Sequence, residues 1–157
     1  MSATDHPRVQ GFQADLFWRF CLQHYSLEGV SQACLQLQDE FQGNVNLALL
    51  LHWLDTQQYA LSATEIRQLE QALAATETQL TAYRQLRRNL KPQLDSAGYQ
   101  QMIDFELMLE QNQQQDLISC LNHQAQQPRA ALPPPADNLG QYCQRLEADN
   151  LALQIRG

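Results

Sequence analysis

Proline is missing from most of the chain and then comes in a burst, and that distribution limits the fold more than any other feature. Four of the six prolines lie within residues 128–135, and the other two are Pro7 and Pro92. Proline lacks an N–H and clashes with the preceding helical turn, so long stretches without it are free to run as helix. The 157 residues include 26 Leu and 26 Gln, both good helix formers, against only 6 Gly. A chain of this length buries enough surface to fold unaided. The expected class is all-α.

Apolar spacing places the helices. Phe12, Leu16, Phe17 and Phe20 recur on one side of residues 13–24, and Val30, Ala33, Cys34, Leu37 and Phe41 on one side of residues 27–41. Gly43 then offers a stop and a position for positive φ, and Asn44 a cap for the next helix. Residues 45–56 are apolar on nearly every side, which marks a central helix, with Trp53 expected to supply much of the buried area. Ser62-Ala63-Thr64-Glu65 has capping-box spacing and opens a long helix. Its three-four rhythm runs through Leu69, Leu73, Leu80 and Tyr83 until Pro92 interrupts it.

Asp95, Ser96 and Gly98 then start a further helix over residues 97–123, whose polar tract Gln111 to Gln115 is expected on exposed turns. Two helices of about 40 Å, at 1.5 Å per residue, make an antiparallel hairpin. Residues 124–137 read as a semi-rigid Pro-rich linker. Beyond it Leu139, Tyr142, Cys143, Leu146 and Leu153 outline one short amphipathic helix, with Asp149 and Asn150 breaking the stripe. A helix that short needs something to lie against: its own domain, a second copy in a homodimer, or another protein. The expected architecture is a compact helical bundle over residues 1–123 containing the long antiparallel hairpin, a linker at 124–137 and a C-terminal amphipathic helix at 138–157.

Charge narrows the partners. The net charge of −7, the pI near 4.9 and a single lysine, Lys91, argue against nucleic acid and against anionic membrane surfaces. Residues 1–11 are polar and lack a signal-peptide core, and residues 47–51, the longest apolar run, are too few to span a bilayer, so a cytoplasmic location is expected. Cys21, Cys34, Cys120 and Cys143 are scattered, with no zinc or redox spacing, and read as reduced thiols. No cofactor is expected.

Against this acidic background Arg84, Arg87, Arg88 and Lys91 fall at i, i+3, i+4 and i+7, on one helical face. Two readings follow. With the hairpin pivoting near Leu94, Asp104 and Glu106 pair with Arg84 while Gln100 and Gln101 face Arg88. Alternatively the four form a site for an acidic protein surface or a phosphorylated small ligand, held through arginine forks.

Chemistry has fewer footholds. His52 with a carboxylate such as Asp39 would make a general base, and Asp39, Glu40 and Asn46 an oxygen-rich metal site, while the plainer reading is a satisfied histidine and a helix-capping loop. His24 reads as a helix-end cation. The chain lacks a Gly-rich phosphate loop, a nucleophile elbow and a paired-His motif. No catalytic residue is assigned, and a non-catalytic binding module is favoured over a small helical metal protein or enzyme using His52 and bundle carboxylates.

Residues 35–54, preceded by Phe17-Trp18 and Tyr25, resemble the signature of a small proteobacterial family of unknown function, and Arg84, Arg87, Arg88 and Lys91 are similar to that family's basic stretch. The resemblance covers roughly residues 12–120. It implies an α-helical bacterial cytoplasmic protein and no particular activity.

Overall fold

A computed structural model describes residues 11–157, and among them seven α-helices and one 3-10 turn account for the regular structure. In chain order these are α1 (Ala14–Tyr25), α2 (Val30–Phe41), α3 (Val45–Thr56), α4 (Ala63–Leu90), the 3-10 turn Lys91–Gln93, α5 (Ser96–Ala125), α6 (Asn138–Arg145) and α7 (Asp149–Arg156). The protein is an all-α helical bundle. The polar N-terminal stretch read as carrying no export signal lies, apart from Gly11, outside the described residues. Among the described residues no helix is long and apolar enough to cross a membrane.

The helix that is apolar all round occupies the centre. Leu47, Ala48, Leu50, Leu51 and Leu54 of α3 are fully buried, and α1, α2, α5 and α6 pack against it. Asn44 caps it, its side chain accepting from Leu47 N at 2.8 Å. Trp53 is half-buried, sharing an aromatic cluster with Phe12 and Phe17 at centroid separations of 5.9 and 5.4 Å.

The turn before α3 differs from expectation. Gln42, not Gly43, adopts the left-handed conformation, at φ 59°, and Gly43 N donates to Leu37 O at 3.0 Å to close the end of α2. Glycine is needed at 43 for space: a Cβ there would sit 2.6 Å from Leu37 Cγ. Likewise α2 starts at Val30 because Gly29, at φ 82°, breaks the backbone before it.

The capping box forms in full, with Ser62 and Glu65 exchanging side-chain and backbone hydrogen bonds. Helices α4 and α5, of 28 and 30 residues, make the long hairpin, turned by the 3-10 segment around Pro92 and restarted by Asp95, which caps Gly98 N at 2.7 Å. Tyr83 Oη donates to Met102 O at 2.6 Å and stitches the two helices near the turn.

The segment after the prolines holds two helices where one is expected. Glu147, at φ 60°, breaks the chain between α6 and α7, and both lie on their own chain, α6 on α3 and α7 on α2. Leu139, Tyr142, Cys143, Leu151, Ala152 and Ile155 join the same hydrophobic core as Phe17 and Leu50. A break suits the stripe: a continuous helix could not turn both faces onto the bundle. The linker is pinned as well. Arg129 pairs with Glu65 at 2.7 Å, donates to Ala60 O and lies over the Tyr59 ring, while the buried Asn138 side chain bridges Leu61 N and Tyr59 O.

Candidate functional site

The basic stripe does not lie on an open surface. Arg84 and Arg87 turn toward α5, where Arg84 Nε stands 3.3 Å from Glu106 and its Nη2 3.5 Å from Glu110, with Glu77 of its own helix at 3.7 Å. Arg87 Nε stands 2.8 Å from Glu106, and its Nη1 donates to Tyr99 Oη at 2.9 Å. The Nε–H does not point at the carboxylate, so that contact is an ion pair and not a hydrogen bond. Burial opposes the charge of Arg87, but Tyr99 and Glu106 outweigh it and hold its pKa above the ordinary value. Burial raises the carboxyl of Glu110 despite Arg84 beside it.

The intramolecular reading therefore holds for Arg84 and Glu106. Asp104 instead accepts from Gln100 along its own helix. Arg88 is exposed and has no ion-pair partner among the described residues, and Lys91 lies 5.1 Å over the Tyr99 ring.

Arg84, Arg87 and Arg88 share the wall of a cavity of about 400 Å³ that opens between α1, α2, α3 and the hairpin. Its sides are apolar. Trp18, Leu22 and Tyr25 come from α1, Leu35 from α2, Leu49 from α3 and Leu107 from α5. Leu22, Tyr25, Leu35 and Leu107 stay exposed at its mouth. Among its ionisable linings three arginines face two glutamates, Glu106 and Glu110, and Glu77 pairs with Arg84 from its own helix, so the charges balance and Arg88 is the lining arginine left without an ion-pair partner among the described residues.

The far end is built from amides that sequence reasoning placed outside. Gln113 and Gln114, read as part of an exposed polar tract, are buried, as is Asn46. Asn46 Nδ2 donates to Gln113 Oε1 at 2.8 Å, and Gln114 Nε2 donates to Asn46 Oδ1 at 3.0 Å. Gln113 Nε2 in turn donates to Thr76 Oγ1 and Glu77 Oε2, both at 3.2 Å. Buried amides persist only when partnered, and here they partner one another between α3 and α5, with Thr76 and Glu77 of α4 completing Gln113. The one sequence signal was Asn46, a polar residue inside an apolar helix.

The other candidates go elsewhere. Asp39 and Glu40 are exposed at the end of α2, while His52 packs on His24, with ring centroids 4.6 Å apart, and on Phe20 at 5.8 Å. Burial, His24 and Arg156 hold the His52 pKa down at about 4. His24 is buried, its Nε2 in hydrogen-bond contact with Ile155 O of α7 at 2.5 Å, so its role is to tie α1 to the C-terminus. Among the described residues no three His, Cys, Asp or Glu side chains gather as metal ligands would. Burial pushes the thiols of Cys21 and Cys34 up to about 12 and that of Cys143 to about 11, so they stay protonated at neutral pH.

A family model described as "Protein of unknown function (DUF2390)" matches residues 16–117. The chain belongs to that family. The matched span runs from α1 to late α5 and takes in every residue that lines the cavity, from Trp18 to Gln114, while α6 and α7 lie beyond it. No curated protein and no solved structure matches the chain.

Proposed function

We propose that the chain is a non-catalytic binding module whose cavity takes a small amphipathic molecule carrying one negative charge. The observation that carries this reading is an apolar cavity whose wall holds Arg84, Arg87 and Arg88 against Glu106 and Glu110. Arg84 and Arg87 are preorganised by their carboxylate partners, so they contribute fixed direction and not free charge. Arg88 supplies the cation that an incoming acid pairs with. An Arg fork at a partly desolvated rim favours a carboxylate or a phosphate ester, and the apolar sides contribute burial of the ligand's body.

The test is calorimetric titration of the full chain with decanoate and with decanol. Decanoate binds more tightly than the neutral alcohol, and Arg88→Glu weakens decanoate about ten-fold while leaving decanol unchanged, because it replaces an attractive charge pair at the rim by a repulsive one. Equal binding of acid and alcohol, or an indifferent Arg88→Glu variant, overturns the reading.

A further inference from the structure

Arg88 also borders a second, smaller cavity. A pocket of about 290 Å³ lies between the end of α2 and the later turns of α4, and Gln38, Arg84 and Arg88 line both it and the larger apolar cavity. Apart from Gly43, every residue of its lining is polar or charged. A group held at Arg88 therefore has an apolar chamber to one side and a polar one to the other.

The polar pocket brings in two carboxylates, and they differ. Glu77 is committed: its Oε1 lies 3.7 Å from Arg84, and its Oε2 accepts from Asn44 Nδ2 at 2.6 Å and from Gln113 Nε2 at 3.2 Å. Asp39 is exposed and, like Arg88, has no ion-pair partner among the described residues, so the two line one pocket without pairing with each other. With Asp39 included, three arginines around the adjoining cavities face four carboxylates, Asp39, Glu77, Glu106 and Glu110. An acid that brings only its negative charge adds to that excess, whereas one that also carries a cation offsets it. The backbone points the same way. Helix α2 ends at Phe41, beside Gln42 and Gly43 of the pocket wall, and has no basic residue in its last turn, so its negative end lacks a cation.

Resting on the binding reading above, we propose that the site selects a zwitterionic amphiphile, with an ammonium beside its acid group and a single apolar tail. The acid pairs with Arg88, the ammonium with Asp39 at the end of α2, and the tail enters the apolar cavity. The smaller volume of the polar pocket suits a compact head, and the class is therefore an α-amino acid with a medium-length alkyl side chain.

The probes are decanoate and each enantiomer of 2-aminodecanoate, titrated calorimetrically at neutral pH into the wild-type chain and into Asp39→Asn. They share the acid group and the carbon chain and differ in the ammonium alone. In the wild type one enantiomer binds about five-fold more tightly than decanoate, the gain from one solvent-screened charge pair beside a helix C-terminus. In Asp39→Asn, checked for fold by circular dichroism, that preference is lost while decanoate binds at least as tightly as before. A preference that survives in the folded variant overturns the inference. So does a wild type in which neither enantiomer outbinds decanoate, and that result leaves the binding reading standing. If the variant does not fold, the wild-type comparison decides. Failure of all three acids to bind overturns both.

Discussion

Arg84 Nε lies 3.3 Å from Glu106 Oε1 across the α4–α5 hairpin, with both side chains nearly nine-tenths covered. A charge pair so enclosed is costly to break on one side only, since the partner stays behind without its counterion. Arg84→Leu is therefore expected to lose about 2–3 kcal/mol of stability in urea unfolding, somewhat less than a fully buried pair because Arg87 remains beside Glu106. Arg88→Glu is expected to leave the urea midpoint unchanged. Replacing Arg84, Arg87 and Arg88 together by Glu would unfold the hairpin, so only the single Arg88 variant tests binding.

The Asn46–Gln113 hydrogen bond is expected to couple its two residues. Asn46→Ala and Gln113→Leu each leave buried amides unpaired and cost about 1–3 kcal/mol. Because either change already breaks the series, the double variant loses less than the sum of the singles. Strict additivity in a double-mutant cycle would show that the amides act independently.

Acid destabilises the protein partly through His52. Its pKa falls from 6.5 to about 4 on folding, so below pH 6.5 the unfolded chain takes up a proton that the folded one refuses. The stabilising contribution of the neutral ring is complete above pH 6.5 and is lost as pH falls toward 4. His52→Gln should flatten the fall of the urea midpoint across that window relative to wild type.

Gly43→Ala places a methyl 2.6 Å from Leu37 Cγ and 3.1 Å from Leu146 Cδ1. Overpacking of this kind costs about 1–3 kcal/mol, and the thermal midpoint should fall accordingly. An unchanged midpoint would mean that Leu37 has room to move aside.

Much of the local structure was legible in the chain itself, because it depends on neighbours in sequence. The capping box at Ser62 and Glu65, the Asn44 cap, the central apolar helix and the stop at Pro92 all stand where their residue types demand. Even the pairing of Arg84 with Glu106 followed from folding one helix back on another. Tertiary structure decided the rest. Gln113 and Gln114 look like solvent-facing residues in a glutamine-rich tract, and their burial depends on partners far away in sequence, Asn46 for both, Asn44, Thr76 and Glu77 for Gln113, and Cys21 for Gln114. The φ at Gln42, the split between α6 and α7, and the pairing of His24 with Ile155 likewise come from which surfaces meet. Periodicity along a helix tells which face is apolar, but a polar side chain's burial depends on the donor or acceptor that another helix brings to it.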